Sequence, residues 1–123
     1  MKTTVVHFKV EKETKNTVRF KETEEDNPIC RTLYVAKSVL GDDKPKEIWL
    51  KIGNKKPKTN GALSVVEFGH EKETKNTVRF KETEEDNPIC RTLYVSKSIL
   101  GDNGIPDRIY GAIYDKEPKV SKK

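Results

Sequence analysis

Apolar and polar residues alternate along most of this chain, in short runs with a period of two. Val6, Phe8 and Val10 alternate with His7 and Lys9, the pattern of a half-buried strand. A polar turn over residues 13–17 follows, and then Val18 and Phe20 alternate with Thr17, Arg19 and Lys21. The two runs predict a β-hairpin. Residues 29–37, ICRTLYVAK, are rich in β-branched and aromatic types and predict a third strand, with Leu33 and Val35 on one face and Thr32 and Tyr34 on the other. Residues 38–45 predict a turn with at most one turn of helix. In residues 46–53, Ile48, Leu50 and Ile52 alternate with Trp49, Lys51 and Gly53, which predicts a fourth strand. No stretch supports a longer helix. The pattern therefore predicts an all-β fold built on a small antiparallel four- to five-stranded sheet or half-open barrel.

The whole pattern then recurs. The 25 residues from Glu11 to Val35 are repeated without change from Glu71 to Val95. Across residues 11–42 and 71–102 only two of 32 positions differ, Ala36 against Ser96 and Val39 against Ile99. The sequence thus divides into a first β unit over residues 1–54, a basic linker over 55–63 carrying Pro57 and Asn60-Gly61, a second β unit over 64–116, and a tail over 117–123. A unit of about 60 residues buries only ~60% of its unfolded surface and lies near the lower limit for folding alone. The two units are accordingly expected to pack on each other as a pseudo-dimer, a covalently joined version of a homodimer.

Outside the repeated block the copies disagree in an ordered way. Val6 and Phe8 recur as Val66 and Phe68, and Ile48 and Ile52 as Ile109 and Ile113. Between them His7 becomes Glu67, Lys9 becomes Gly69, Glu47 becomes Arg108, Trp49 becomes Tyr110, Lys51 becomes Ala112 and Gly53 becomes Tyr114. Residues two apart in a strand share a face, so the inferred core is kept while one outer face of the first and last strands is rewritten. Two changes fall on the inferred core face instead, Val10 to His70 and Leu50 to Gly111. They predict a strand end, a bulge or a weaker second unit. Neutral drift would scatter changes, yet Lys12, Lys15, Lys21, Glu22, Thr23 and Glu24, which read as exposed, are all retained in the second copy.

This combination of a fixed interior and a diversified strand face resembles engineered binder libraries built on small β-barrels. The resemblance is to that logic rather than to a natural family, and it covers both units. It implies a non-enzymatic tandem binding protein that recognises a protein target. The candidate binding residues are His7, Lys9, Glu47, Trp49, Lys51, Glu67, His70, Arg108, Tyr110 and Tyr114. Trp49, Tyr110 and Tyr114 are the expected anchors and Arg108 a charged contact, because rigid aromatics and arginine dominate interface hot spots. A natural recent duplication of unknown function is the other history that fits the repeat.

Charge and cysteine content narrow the remaining classes. The chain is 37% charged and 33% hydrophobic with a net charge of +5, polar but too well patterned for disorder. The basic balance, with Trp49 among Lys9 and Lys51, makes a small nucleic-acid-binding β protein the main functional alternative. Against it, the second copy lacks those lysines. Neither the acidic residues nor His7 and His70 make a catalytic set or a metal site by spacing, so no enzyme activity, metal or cofactor is expected. Cys30 and Cys90 occupy one equivalent position and read as reduced structural residues. With no apolar run long enough to span a membrane and no signal-peptide core at the N-terminus, a cytoplasmic location is expected.

Overall fold

The computed structural model describes residues 3–42, 44–57, 61–101 and 104–118. The expected linker is therefore described except for 58–60, and the expected tail only as far as 118. Eight strands form: β1 (Thr4–Glu13), β2 (Thr17–Glu22), β3 (Thr32–Ala36), β4 (Glu47–Gly53), β5 (Ser64–Glu73), β6 (Thr77–Glu82), β7 (Thr92–Ser96) and β8 (Arg108–Tyr114). One turn of helix, α1 (Lys37–Leu40), follows β3, and a 3-10 turn over Lys97–Ile99 holds the equivalent place after β7.

All eight strands belong to one antiparallel sheet of order β3-β2-β1-β4-β8-β5-β6-β7, curled into a nearly closed barrel. Each copy supplies four neighbouring strands, and β4 pairs with β8 to join them. The pairing is reciprocal: Trp49 lies opposite Tyr114, Gly53 opposite Tyr110, and the equivalent residues Lys51 and Ala112 face each other between them. At the far edges, Ala36 N–H donates to the Ile89 carbonyl at 2.8 Å and Ser96 N–H to the Ile29 carbonyl at 2.8 Å. These bonds bring the β3 and β7 sides of the sheet together.

The alternation read from sequence points inward as expected. Val6, Phe8, Val18, Phe20, Leu33, Val35, Ile48, Leu50 and Ile52 form a single buried cluster with their counterparts in the second copy, including Phe68, Phe80, Leu93, Ile109 and Ile113. Burying each large apolar side chain contributes ~1.5–3 kcal/mol, and both copies contribute to the one interior.

Three local expectations are corrected. The third strand begins at Thr32 rather than Ile29, because Pro28–Arg31 is drawn into a loop with Arg31 at φ 67°. Glu22 is not exposed. It is 5% accessible, and its Oε1 accepts hydrogen bonds from the N–H groups of Ile29 (2.9 Å), Cys30 (2.7 Å) and Arg31 (2.8 Å). Glu82 does the same for Ile89, Cys90 and Arg91. A buried carboxylate is tolerated when its lone pairs are filled in this way. Finally, Val10 is not a core residue. The β1–β2 register slips between Val10 and Lys12, a bulge that carries the strand end past the barrel and leaves Val10 40% exposed.

Leu50 to Gly111 has a different explanation. Gly111 does face the interior, but a Cβ placed on it would lie 2.9 Å from Leu50 Cδ1. One copy keeps a leucine beside the β4–β8 seam and the other makes room for it. Cys30 and Cys90 are free and buried. Burial, helped by the neighbouring Glu22 and Glu82 carboxylates, pushes both thiols up and away from the reactive thiolate.

Candidate functional site

Strand pairing decides which of the changed positions meet. β1 runs beside β4, with His7 opposite Trp49 and Lys9 opposite Glu47. β8 lies on the other side of β4, and β5 lies beyond β8, with Glu67 opposite Tyr110 and Gly69 opposite Arg108. The outer faces of β1, β4, β8 and β5 are thus one continuous surface. One cross-strand row reads His7–Trp49–Tyr114 and its counterpart reads Gly53–Tyr110–Glu67. Nine of the ten candidate residues lie on this surface. His70 does not: it sits at the bulged end of β5, paired with Phe80, its ring edge-on to that phenyl at 6.1 Å between centroids and its Nε2 3.7 Å from Glu73.

The first half of the surface is centred on a held histidine. The His7 ring stacks on the Trp49 indole at 4.6 Å with 13° between planes. Its Nε2 lies 2.7 Å from Glu47 Oε1, and its Nδ1 3.4 Å from Thr23 Oγ1. The sequence of hydroxyl, imidazole and carboxylate has the residue types of a hydrolytic triad. Thr83 makes the equivalent contact to Glu67, however, donating to its Oε1 at 3.0 Å. The shared threonine therefore positions whatever side chain stands at this place in β1 or β5, and it does so in a half that has no imidazole there.

In the second half Glu67 is the hub. Besides Thr83, it accepts from Arg108 Nη1 at 3.1 Å and from the Tyr110 hydroxyl at 3.3 Å, both through Oε2. The Thr83 hydrogen bond, then the charge of Arg108 and the Tyr110 hydroxyl, hold its carboxyl below the usual carboxylate range against a smaller opposing effect of desolvation. A folded-state value below the unfolded one stabilises the fold above ~pH 4.3, the ordinary carboxyl value, and that contribution is lost as pH falls through the folded value. Urea midpoints are expected to favour the native chain over Glu67→Gln at neutral pH, with the difference shrinking below pH ~4. A difference that instead grew on acidification would contradict this arrangement.

The middle of the surface is not flat. Gly53 lies level with Tyr110, whereas β5 starts with Ser64 level with Ile113, and Leu63 N–H donates to the Ile113 carbonyl at 2.7 Å. The β4–β5 connector therefore has its two ends at different levels along β8. Its residues Lys55, Lys56 and Pro57 face Asp115–Pro118, which leave β8, across a cleft of about 570 Å3 that also touches Lys51 and Tyr114. Ala112, opposite Lys51 and with Val65 on its other side, is fully buried among its neighbours.

Sequence reasoning missed Glu22 and Glu82, although a signal was present: Glu22 continues the Val18, Phe20 alternation and so shares their inward face. Among the described residues no group of three or more His, Cys, Asp and Glu side chains is placed to hold a metal ion. No helix is long and apolar enough to cross a membrane. Neither protein-family models nor curated proteins yield a match to this chain.

Proposed function

We propose that the chain is a non-enzymatic, engineered tandem binding protein that recognises a protein target through the outer face of β1, β4, β8 and β5. The observation that carries this reading is the merging of the changed positions. Residues 60 or 61 apart in sequence, rewritten between the copies, come to one surface across the β4–β8 seam, while the interior around them is retained apart from the Leu50–Gly111 pair. Trp49, Tyr110 and Tyr114 are each half-buried on that surface. They offer broad, rigid contact area at little cost in side-chain freedom. The buried, raised thiols of Cys30 and Cys90 agree with a structural rather than catalytic role for the cysteines.

The reciprocal pairings of the β4–β8 seam and of the β3 and β7 edges further support the two halves as a covalently joined dimer. On this reading the divergence has two uses. Leu50 and Gly111 fit the halves to each other, and the outward residues fit the pair to a target. For a bound protein target, Trp49→Ala is expected to weaken binding by ~2 kcal/mol or more, with the far-UV spectrum unchanged. Titration calorimetry checks it; undiminished affinity in Trp49→Ala and in Tyr110→Ala would remove the face from the account.

A further inference from the structure

We infer that the cleft over the β4–β8 seam receives a carboxylate-rich segment of a protein partner, an inference that rests on the outer face being the recognition surface. Four lysines line it: Lys51 from β4, Lys55 and Lys56 from the connector, and Lys116 from the segment after β8. Asp115 and Glu117 are the only acidic residues in the lining. Among the described residues none of these six makes an ion pair, as is true of Lys9, Lys12, Lys21 and most other described lysines; what sets the cleft apart is that four lysines line one concavity. Unpaired ammonium groups converging on a concavity repel one another and concentrate positive potential there, and an entering anion relieves both effects.

The walls suit a peptide. Pro57 and Pro118, at equivalent positions in the two copies, restrict the backbone of the two segments and so lower the ordering cost of binding. Tyr114 adds an aromatic surface beside the lysines. The excess of lysine comes from divergence: Lys51 answers to Ala112 and Lys56 to Glu117, while Lys55 and Lys116 are shared. A nucleic acid fits less well. Its backbone carries a charge about every 3.4 Å along each strand and would meet Asp115 and Glu117 in the wall and Glu47 and Glu67 on the surrounding face. A peptide can set its carboxylates at the lysines and neutral residues elsewhere.

The test is fluorescence anisotropy on the full chain with three fluorescein-labelled probes: an alternating Glu-Ala peptide, an alternating Lys-Ala peptide and an oligothymidylate of similar length. Only the Glu-Ala peptide is expected to bind well, more weakly at about 150 mM salt than at about 20 mM. Lys55→Glu/Lys116→Glu is expected to lower its affinity about tenfold or more. These two residues lie outside the strands, and Lys51→Glu is a second, independent variant whose fold is checked by circular dichroism. No binding of the Glu-Ala peptide at low salt, unchanged affinity in both variants, or tighter binding of the oligothymidylate through the same lysines would each overturn the inference. A protein partner whose capture needs Trp49 but ignores Lys55→Glu/Lys116→Glu would overturn the cleft assignment and leave the recognition face standing. Lysine-dependent peptide binding with no Trp49-dependent partner would do the reverse.

Discussion

Replacing Glu22 with alanine is expected to lower the unfolding free energy by ~2–4 kcal/mol, one of the two largest effects of any single substitution considered. The carboxylate is 5% exposed and accepts from three successive backbone N–H groups, Ile29, Cys30 and Arg31. The Cys30 N–H, left buried without a partner, costs ~1–3 kcal/mol; the bonds to the part-buried Ile29 and the exposed Arg31 add less, because water can replace the carboxylate there. Glu22→Gln keeps one carbonyl acceptor but turns an amide toward the donors, so it should fall between. Because whole domains are stable by only ~5–15 kcal/mol, Glu22→Ala/Glu82→Ala is expected to leave the chain unfolded. Urea denaturation of the single variants checks this; a loss below ~1 kcal/mol would mean that the carboxylates do not hold the loops.

The second large effect concerns the seam. Leu50→Ala should cost ~2–5 kcal/mol as a cavity-forming change, and Gly111→Ala ~1–3 kcal/mol, because its new methyl falls 2.9 Å from Leu50 Cδ1. The two should not add. With Leu50 shortened, the space that Gly111 keeps open is no longer needed, and the added methyl fills part of the cavity. A double-mutant cycle is expected to give a favourable coupling of ~1–2 kcal/mol. Additive losses would show that Gly111 is tolerated for some reason other than making room for Leu50.

How much of this was legible in the sequence depended on what set each feature. Period-two alternation exposes its inward residues directly, so Phe8, Phe20, Leu33 and Ile48 and the all-β class could be read at once. The same parity placed Trp49, Lys51 and Tyr114 outward. Pairing between distant strands has no such local signature. Nothing in either copy says that β4 lies against β8, so the merging of two changed faces into one, and the cleft over their seam, appeared only in three dimensions. Glu22 was misread because its charge outweighed its phase, and the loop donors that compensate that charge lie seven to nine residues further on. His70 stands apart from the other candidates for a reason the alternation does show: it is two residues after Phe68 and so shares that residue's side of β5, in regular register with Phe80, and the bulge begins only after it.

The most direct measurement of the central claim compares what the immobilised chain retains with what two variants retain. One variant, Trp49→Ala/Tyr110→Ala/Tyr114→Ala, empties the recognition face. The other, Tyr34→Ala/Tyr94→Ala, removes the two exposed tyrosines of β3 and β7, both 41% accessible, from the opposite side of the sheet order. The account predicts a protein partner held by the native chain and by the Tyr34/Tyr94 variant, with affinity falling by ~2 kcal/mol or more when the face is emptied. Equal retention by all three, or loss only in the Tyr34/Tyr94 variant, would contradict it.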